Sequence, residues 1–374
     1  MIFKPKLLPL LLLALTATSS DTRWREAQRN YPWSFPEDHW VRSGYKTEWW
    51  YFTGHLRARR DASRRFGYQF TFFRIGLRPE SPRLQSEWAT KNLIMGHATI
   101  SDLSSKKHVF SEVLYREVSF LGGFGFYPDR LIVWSRAPAG TEGKWKLQWN
   151  GQGFDFEMQD QIQGLAFQLS TRPMKPLIFQ GPNGYSRKGN SPTAASQYYS
   201  FTRLSTQGVL SITGEKFQVE GESWMDKEFG SNQLAENQIG WDWFSLQLED
   251  NREVMLYHLR DKTGATDFAR GTLVSSTGKV RYLKPEAWNI QRTATWKSPH
   301  TGTEYPSRWM VTLPMDKLEL EVIAEVADQE NRSRILPDLY YWEGAVKIQS
   351  RSGNKVGQGY VELTGYGTKN RPPI

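Results

Sequence analysis

The densest run of residues able to do acid–base chemistry is Trp224-Met-Asp226-Lys-Glu228-Phe-Gly230. In an extended strand alternate side chains share a face, so Trp224, Asp226 and Glu228 point to the same side. Two carboxyl groups beside an indole lose water and repel each other's charge. That raises one pKa and makes a general acid at neutral pH. The same residue types also serve a turn at a domain join, capping backbone N–H groups or pairing with Lys227 or an arginine.

Gly96-His97-Ala-Thr-Ile-Ser-Asp102 comes next. His97 alternates with Thr99 and Ser101, so on a strand it projects from one face, into a barrel if the strand lines one. There it is a candidate general base or a hydrogen-bonding group for a ligand, beside the plainer role of a satisfied core histidine. His55 is a weaker candidate of the same kind. Trp49, Trp50, Trp241 and Trp243 open two similar strands, where they either pack a barrel end or stack on a ligand. No His-x-His, His-Glu-x-x-His or cysteine ligand set suggests a metal, and no Gly-x-Ser-x-Gly elbow supplies a hydrolase nucleophile. No metal or organic cofactor is expected.

The elements that must position these groups read as strands. Phe66–Arg74, Val254–Leu259, Leu318–Val326 and Tyr360–Thr364 all repeat with a period of two. Turn signals such as Ser352-Gly-Asn354 and Glu249-Asp-Asn251 separate such runs, the pattern of an all-β barrel or sandwich. The stretch 171–200 carries four prolines and five glycines or asparagines and is expected to be a long functional loop or lid. An internal repeat organises the rest. Glu48-Trp-Trp-Tyr-Phe52 leads through a hairpin to a strand ending in Arg74, and Asp242-Trp-Phe-Ser-Leu246 leads to one ending in Arg260. Two β-domains are therefore expected, over 21–228 and 229–374.

Residues 1–20 are expected to be a cleaved export signal. Lys4 and Lys6 precede the apolar run Leu7–Leu15, and small residues follow from Thr16 to Ser20. The chain has no cysteine, which excludes a lipobox and leaves stability to the core rather than to disulfides. Its formal net charge of +9 is spread thinly, densest at Arg57, Arg59, Arg60, Arg64 and Arg65, and an exported chain is a poor nucleic-acid binder. Sixteen Trp, sixteen Tyr and twenty Phe exceed what one site needs, so most must be packing.

Five ordered motifs together resemble one family: Glu48-Trp-Trp-Tyr-Phe-Thr-Gly-His-Leu56, Phe66-Gly-Tyr-Gln-Phe70, Gly96–Asp102, Trp224–Gly230 and Gly240-Trp-Asp-Trp-Phe-Ser245. It is the hydroxyneurosporene synthase (carotenoid 1,2-hydratase) family, in its AttH-like secreted branch. The resemblance spans nearly the whole chain beyond the export signal. It implies two tandem lipocalin-like (calycin) antiparallel barrels, and a setting beside membrane transporter components. Those hydratases protonate a terminal alkene and let water capture the tertiary carbocation, without a cofactor. Asp226 matches their acid, in an aromatic-x-Asp motif. Two departures stand out: Trp224 replaces a Tyr, and Gln197-Tyr-Tyr199 occupies the place of a His-x-Trp element.

The resulting expectation is an exported, periplasmic or secreted, two-barrel protein that binds an apolar lipid- or isoprenoid-like ligand between or within its barrels. Ligand contacts are expected from Trp49, Trp50, Tyr199, Trp224, Trp241 and Trp243. The alternative is a cofactor-independent hydratase or hydrolase with Asp226 as acid and Glu228 or His97 assisting. A glycan-binding module with exposed Trp platforms is the third reading.

Overall fold

The computed structural model describes residues 23–83 and 85–367, and the expected export signal lies outside them. Among the described residues the chain is all-β, its strands interrupted only by single-turn 3-10 helices. They form two antiparallel sheets, of thirteen and ten strands, each curled around its own core as a barrel. The first holds every strand up to Glu215–Asn232, and the second begins at Gln238–Leu248. The expected join after residue 228 thus falls inside a strand, four residues before that strand ends.

Both sheets share one central order, which accounts for the sequence repeat. In the first, Arg65–Gly76, Thr47–Ala58, Glu215–Asn232 and Ala195–Ile212 are successive neighbours. In the second, Glu253–Asp261, Gln238–Leu248, Lys355–Leu363 and Tyr340–Ser350 are. The repeated acid and arginine meet across the ladder in each copy. Arg74 Nε lies beside Glu48 Oε1 at 2.5 Å, and Arg260 Nε beside Asp242 Oδ1 at 2.9 Å, with all four groups buried.

Strand alternation decides which side chains go where. Trp50, Phe52, Tyr68, Phe70 and Phe72 turn into the first barrel and fill it with Trp145, Phe156 and Phe167. Phe70 stacks on Phe156 at 5.0 Å. Each such ring contributes ~2–3 kcal/mol relative to exposure, so this barrel is a packed core, not a ligand chamber. The opposite face of the same strands turns toward the second barrel. Gly67 sits against the second sheet: a Cβ there would lie 2.6 Å from that of Ala345, so any larger residue would push the sheets apart at this point.

The stretch 171–200 is not an open lid. Its prolines and glycines divide it into short strands, Ile178–Phe179 and Tyr185–Arg187, which pair with Ala195–Ile212. Its side chains then fasten it to the second barrel. Lys175 Nζ meets Glu253 at 2.8 Å, Thr272 donates to Gln180 at 2.7 Å, and Tyr257 donates to the Arg187 carbonyl at 2.5 Å. Backbone groups that a loop would leave to water are satisfied within the sheet.

Candidate functional site

A cavity of about 1070 Å³, counting its open mouth, lies between the two barrels. Three cross-strand rows, two from the first barrel and one from the second, supply its facing walls. In the first barrel, Tyr51, Asp226 and Ser200 are consecutive ladder partners, as are Trp49, Glu228 and Tyr198. In the second, Tyr257, Trp243, Glu362 and Glu343 form one row. A rigid ladder fixes such rows better than a loop could. The rows touch: Tyr51 meets the Trp243 ring edge-on at 5.3 Å and donates to Glu343 Oε1 at 2.6 Å.

Asp226 is 2 % exposed and has three donors. Tyr198 donates to Oδ2 at 2.7 Å, Trp224 Nε1 to Oδ1 at 2.7 Å, and Ser200 also to Oδ1. Desolvation outweighs these bonds, and with Glu228 nearby it pushes the carboxyl up to about 7. The sequence argument anticipated burial and a neighbouring carboxylate, and both act, burial being much the larger. Glu228 has a different environment. It accepts from Lys188 Nζ at 2.6 Å and from Ser196, so its charge is paired. The Lys188 ammonium sits over the rings of Tyr198 and Tyr257, at 5.0 and 4.7 Å.

His97 lines the same cavity, but it points out of the first barrel rather than into it. Its Nδ1 lies 2.7 Å from Tyr341 Oη across the divide, and its Nε2 has no partner. Burial lowers its pKa to about 3, so the ring is neutral and offers an acceptor or a donor, not a charge. His55 is elsewhere, bound through Nε2 to the Gly359 carbonyl at 2.8 Å.

The aromatic candidates divide by strand face. Trp49, Trp241 and Trp243 line the cavity. Trp224 stands just behind it and orients Asp226 through its indole N–H. Trp50 and Tyr199 fall on the other face, fully buried inside the first barrel. The period of two separates adjacent residues, so Trp49-Trp50 and Tyr198-Tyr199 each send one ring to each side.

Sequence reasoning missed the second barrel's acids. Trp241 Nε1 donates to Glu362 Oε2 at 3.1 Å, and burial, together with Asp226 and Glu228, brings Glu362 up to about 7. Burial and then Glu362 hold Glu343 well above the carboxylate range. Alternation around Tyr341-Trp342-Glu343 and Tyr360-Val-Glu362 was visible, but nothing in it told which face was buried. Lys188, from the 171–200 segment, was also missed. Among the described residues no group of three or more His, Asp or Glu side chains is placed to hold a metal ion.

A buried acid poised near neutrality, walled by aromatic rings, can protonate an apolar ligand and tolerate the positive charge that follows. The comparisons bear on that geometry. A crystal structure of an AttH-type protein from Nitrosomonas europaea has 28% identity and a TM-score of 0.78, covering 91% of this chain and 99% of that one. Kievitone hydratase from Nectria haematococca has 12% identity and a TM-score of 0.64, covering 93% and 97%, and so shares the fold. No curated protein matches. The fold is thus a lipocalin-like one also used by a hydratase. The AttH-like family model matches residues 26–366, from the segment before the first strand to the end of the last ladder, and the chain belongs to that family.

Proposed function

We propose that the chain is a cofactor-independent hydratase acting on an apolar, alkene-bearing ligand held between its barrels. One observation carries the reading: Asp226 is a fully buried carboxyl near pKa 7 with no cation paired to it, in an aromatic-walled cavity. Its proton passes to one alkene carbon, whose π pair forms the new C–H bond. The neighbouring carbon becomes a tertiary cation, faced by the rings of Trp49 and Trp243. A water lone pair closes on that carbon, and the surplus proton returns to Asp226.

The test uses an isoprenoid with a trisubstituted terminal alkene in oxygen-18 water. The wild-type chain is expected to yield labelled tertiary alcohol, and Asp226→Asn to bind the alkene within a few-fold while losing turnover by at least a hundredfold. Binding without label in the wild type would leave an apolar-ligand carrier in place of an enzyme. The proposal places the protein outside the cytoplasm, on the strength of Lys4, Lys6 and the run Leu7–Leu15. It also sets it beside a membrane transporter that delivers or removes the ligand. Fractionation and co-purification test those two parts separately.

A further inference from the structure

Four carboxyl groups line the cavity: Asp226, Glu228, Glu343 and Glu362. Lys188 is the one Lys or Arg among the described residues that line it, and it is engaged by Glu228. Two further acceptors have no partner, Gln69 Oε1 and Gln233 Oε1, and a third atom without one is His97 Nε2, a donor or an acceptor by tautomer. All three belong to lining residues that are at most 5 % exposed. Buried polar atoms left without partners point to a group that is missing, and here the missing group is a donor. The walls are Trp49, Trp241, Trp243, Tyr198, Tyr257 and Tyr341, whose ring faces attract cations. The Lys188 ammonium over two of these rings shows that the cage accepts such a charge.

We infer that the cavity recognises an apolar ligand carrying a positively charged nitrogen, an alkylammonium whose N–H groups meet the unpartnered acceptors and whose charge meets the unpaired carboxyls. The inference rests on the cavity being the ligand site of the proposed function, but not on turnover at Asp226. It also deepens that reading, because the field that welcomes an ammonium is the one that stabilises a carbocation. An alkylammonium would then act as a mimic of the cationic intermediate.

The groups facing the bound charge come from every wall. They are Tyr51 and His97, Tyr198 and Lys188, Asp226 and Glu228, Tyr257, and Tyr341, Glu343 and Glu362. Of these, Asp226 and Glu362 change charge near neutrality, each at about 7. A bound cation favours their ionised forms, so binding releases protons and tightens as pH rises.

Octylammonium, octanol and octyl sulfate share one chain and differ in charge, and calorimetry on the full chain would compare them. Octylammonium is expected to bind at least tenfold tighter than octanol at pH 8, with octyl sulfate weakest. The preference should shrink several-fold by pH 5.5 and fall in Glu362→Gln. A protein of net charge +9 repels cations at long range, so such a preference would come from the cavity. Equal binding of octanol and octylammonium at both pH values would overturn the inference and leave the apolar-ligand reading standing. Failure of all three probes to bind would overturn both.

Discussion

Lys227 and Asp226 are neighbours on one strand and belong to opposite kinds of site. Lys227 turns into the first barrel, where its ammonium and the Arg74 guanidinium both engage Glu48, over the Trp50 ring. Burial alone would raise the Glu48 carboxyl, but Lys227 and Arg74 together hold it below its ordinary value. Asp226 turns the other way, into the cavity, where no cation is paired with it and its pKa rises to about 7. The second barrel repeats the contrast. Despite burial, His258, Arg260 and Arg292 hold Asp242 well down, whereas Glu362 and Glu343 on the cavity face are held up. Burial is common to all of these acids. Compensation by cations separates the structural ones from the chemical ones.

The largest effect should come from breaking the compensated site. Glu48→Gln leaves the Arg74 guanidinium as an unpaired charge in a dry core and strips Lys227, which burial already lowers to about 7, of the partner that keeps it charged; it is expected to cost ~3–5 kcal/mol in urea unfolding. Asp226→Asn should instead be neutral or stabilising at pH 8, because the wild-type carboxyl pays for desolvation whenever it is ionised. A Glu48→Gln protein as stable as wild type would remove the distinction.

The two classes also differ in how pH acts on them. Asp226 has a folded pKa above its unfolded one, so its contribution is present below about pH 4 and lost as pH rises through about 7. Over that interval the slope integrates to as much as ~4 kcal/mol, and Asp226→Asn should remove it. Glu48 and Asp242 are depressed and act in the opposite sense, stabilising above about pH 4 and failing as pH falls through their folded values. Unfolding curves from pH 4 to 8 for wild type and Asp226→Asn check the sign.

Trp49 and Trp50 sharpen the same division by one residue. Trp50→Ala empties part of the barrel core and should cost ~3–5 kcal/mol with little change in ligand affinity. Trp49→Ala should cost ~1 kcal/mol and weaken alkene binding several-fold, read by calorimetry. Similar profiles for the two variants would mean that the strand faces have been misassigned.

The smallest expected effects concern the seam. Gly67→Ala forces its new Cβ against Ala345 and should cost ~1–3 kcal/mol while widening the gap between the sheets. Tyr51→Phe removes the donor to Glu343 and should cost about 1 kcal/mol, seen as a shift of a few degrees in thermal unfolding.

These contrasts also explain what could be read in advance. The period of two in Phe66–Arg74 and Tyr360–Thr364, with the repeat around Glu48 and Asp242, was sufficient for an all-β chain of two similar domains, and the family resemblance made them barrels rather than sandwiches. The repeated acid and arginine proved to be the buried ion pairs of that fold, so the repeat recorded architecture rather than chemistry. The face shared by Trp224, Asp226 and Glu228 was correctly drawn from strand geometry. Its destination was not legible, because the outer face of one barrel becomes interior only when the second barrel covers it. For the same reason Glu343 and Glu362 did not stand out in the sequence, and Trp50 and Tyr199 were grouped with neighbours that point the other way. Composition marked 171–200 as irregular, but pairing with a distant strand depends on partners that local sequence does not specify.

The central claim is that Asp226 keeps its proton far above the ordinary carboxylate range, up to about pH 7, and pH-difference infrared spectroscopy tests it most directly. A protonated-carboxyl band should persist above pH 6, lose intensity around pH 7 as Asp226 and Glu362 ionise while Glu343 keeps its proton, and lose one of the components that titrate there in Asp226→Asn. A band that vanishes entirely below pH 5, or one unchanged by that substitution, would contradict it.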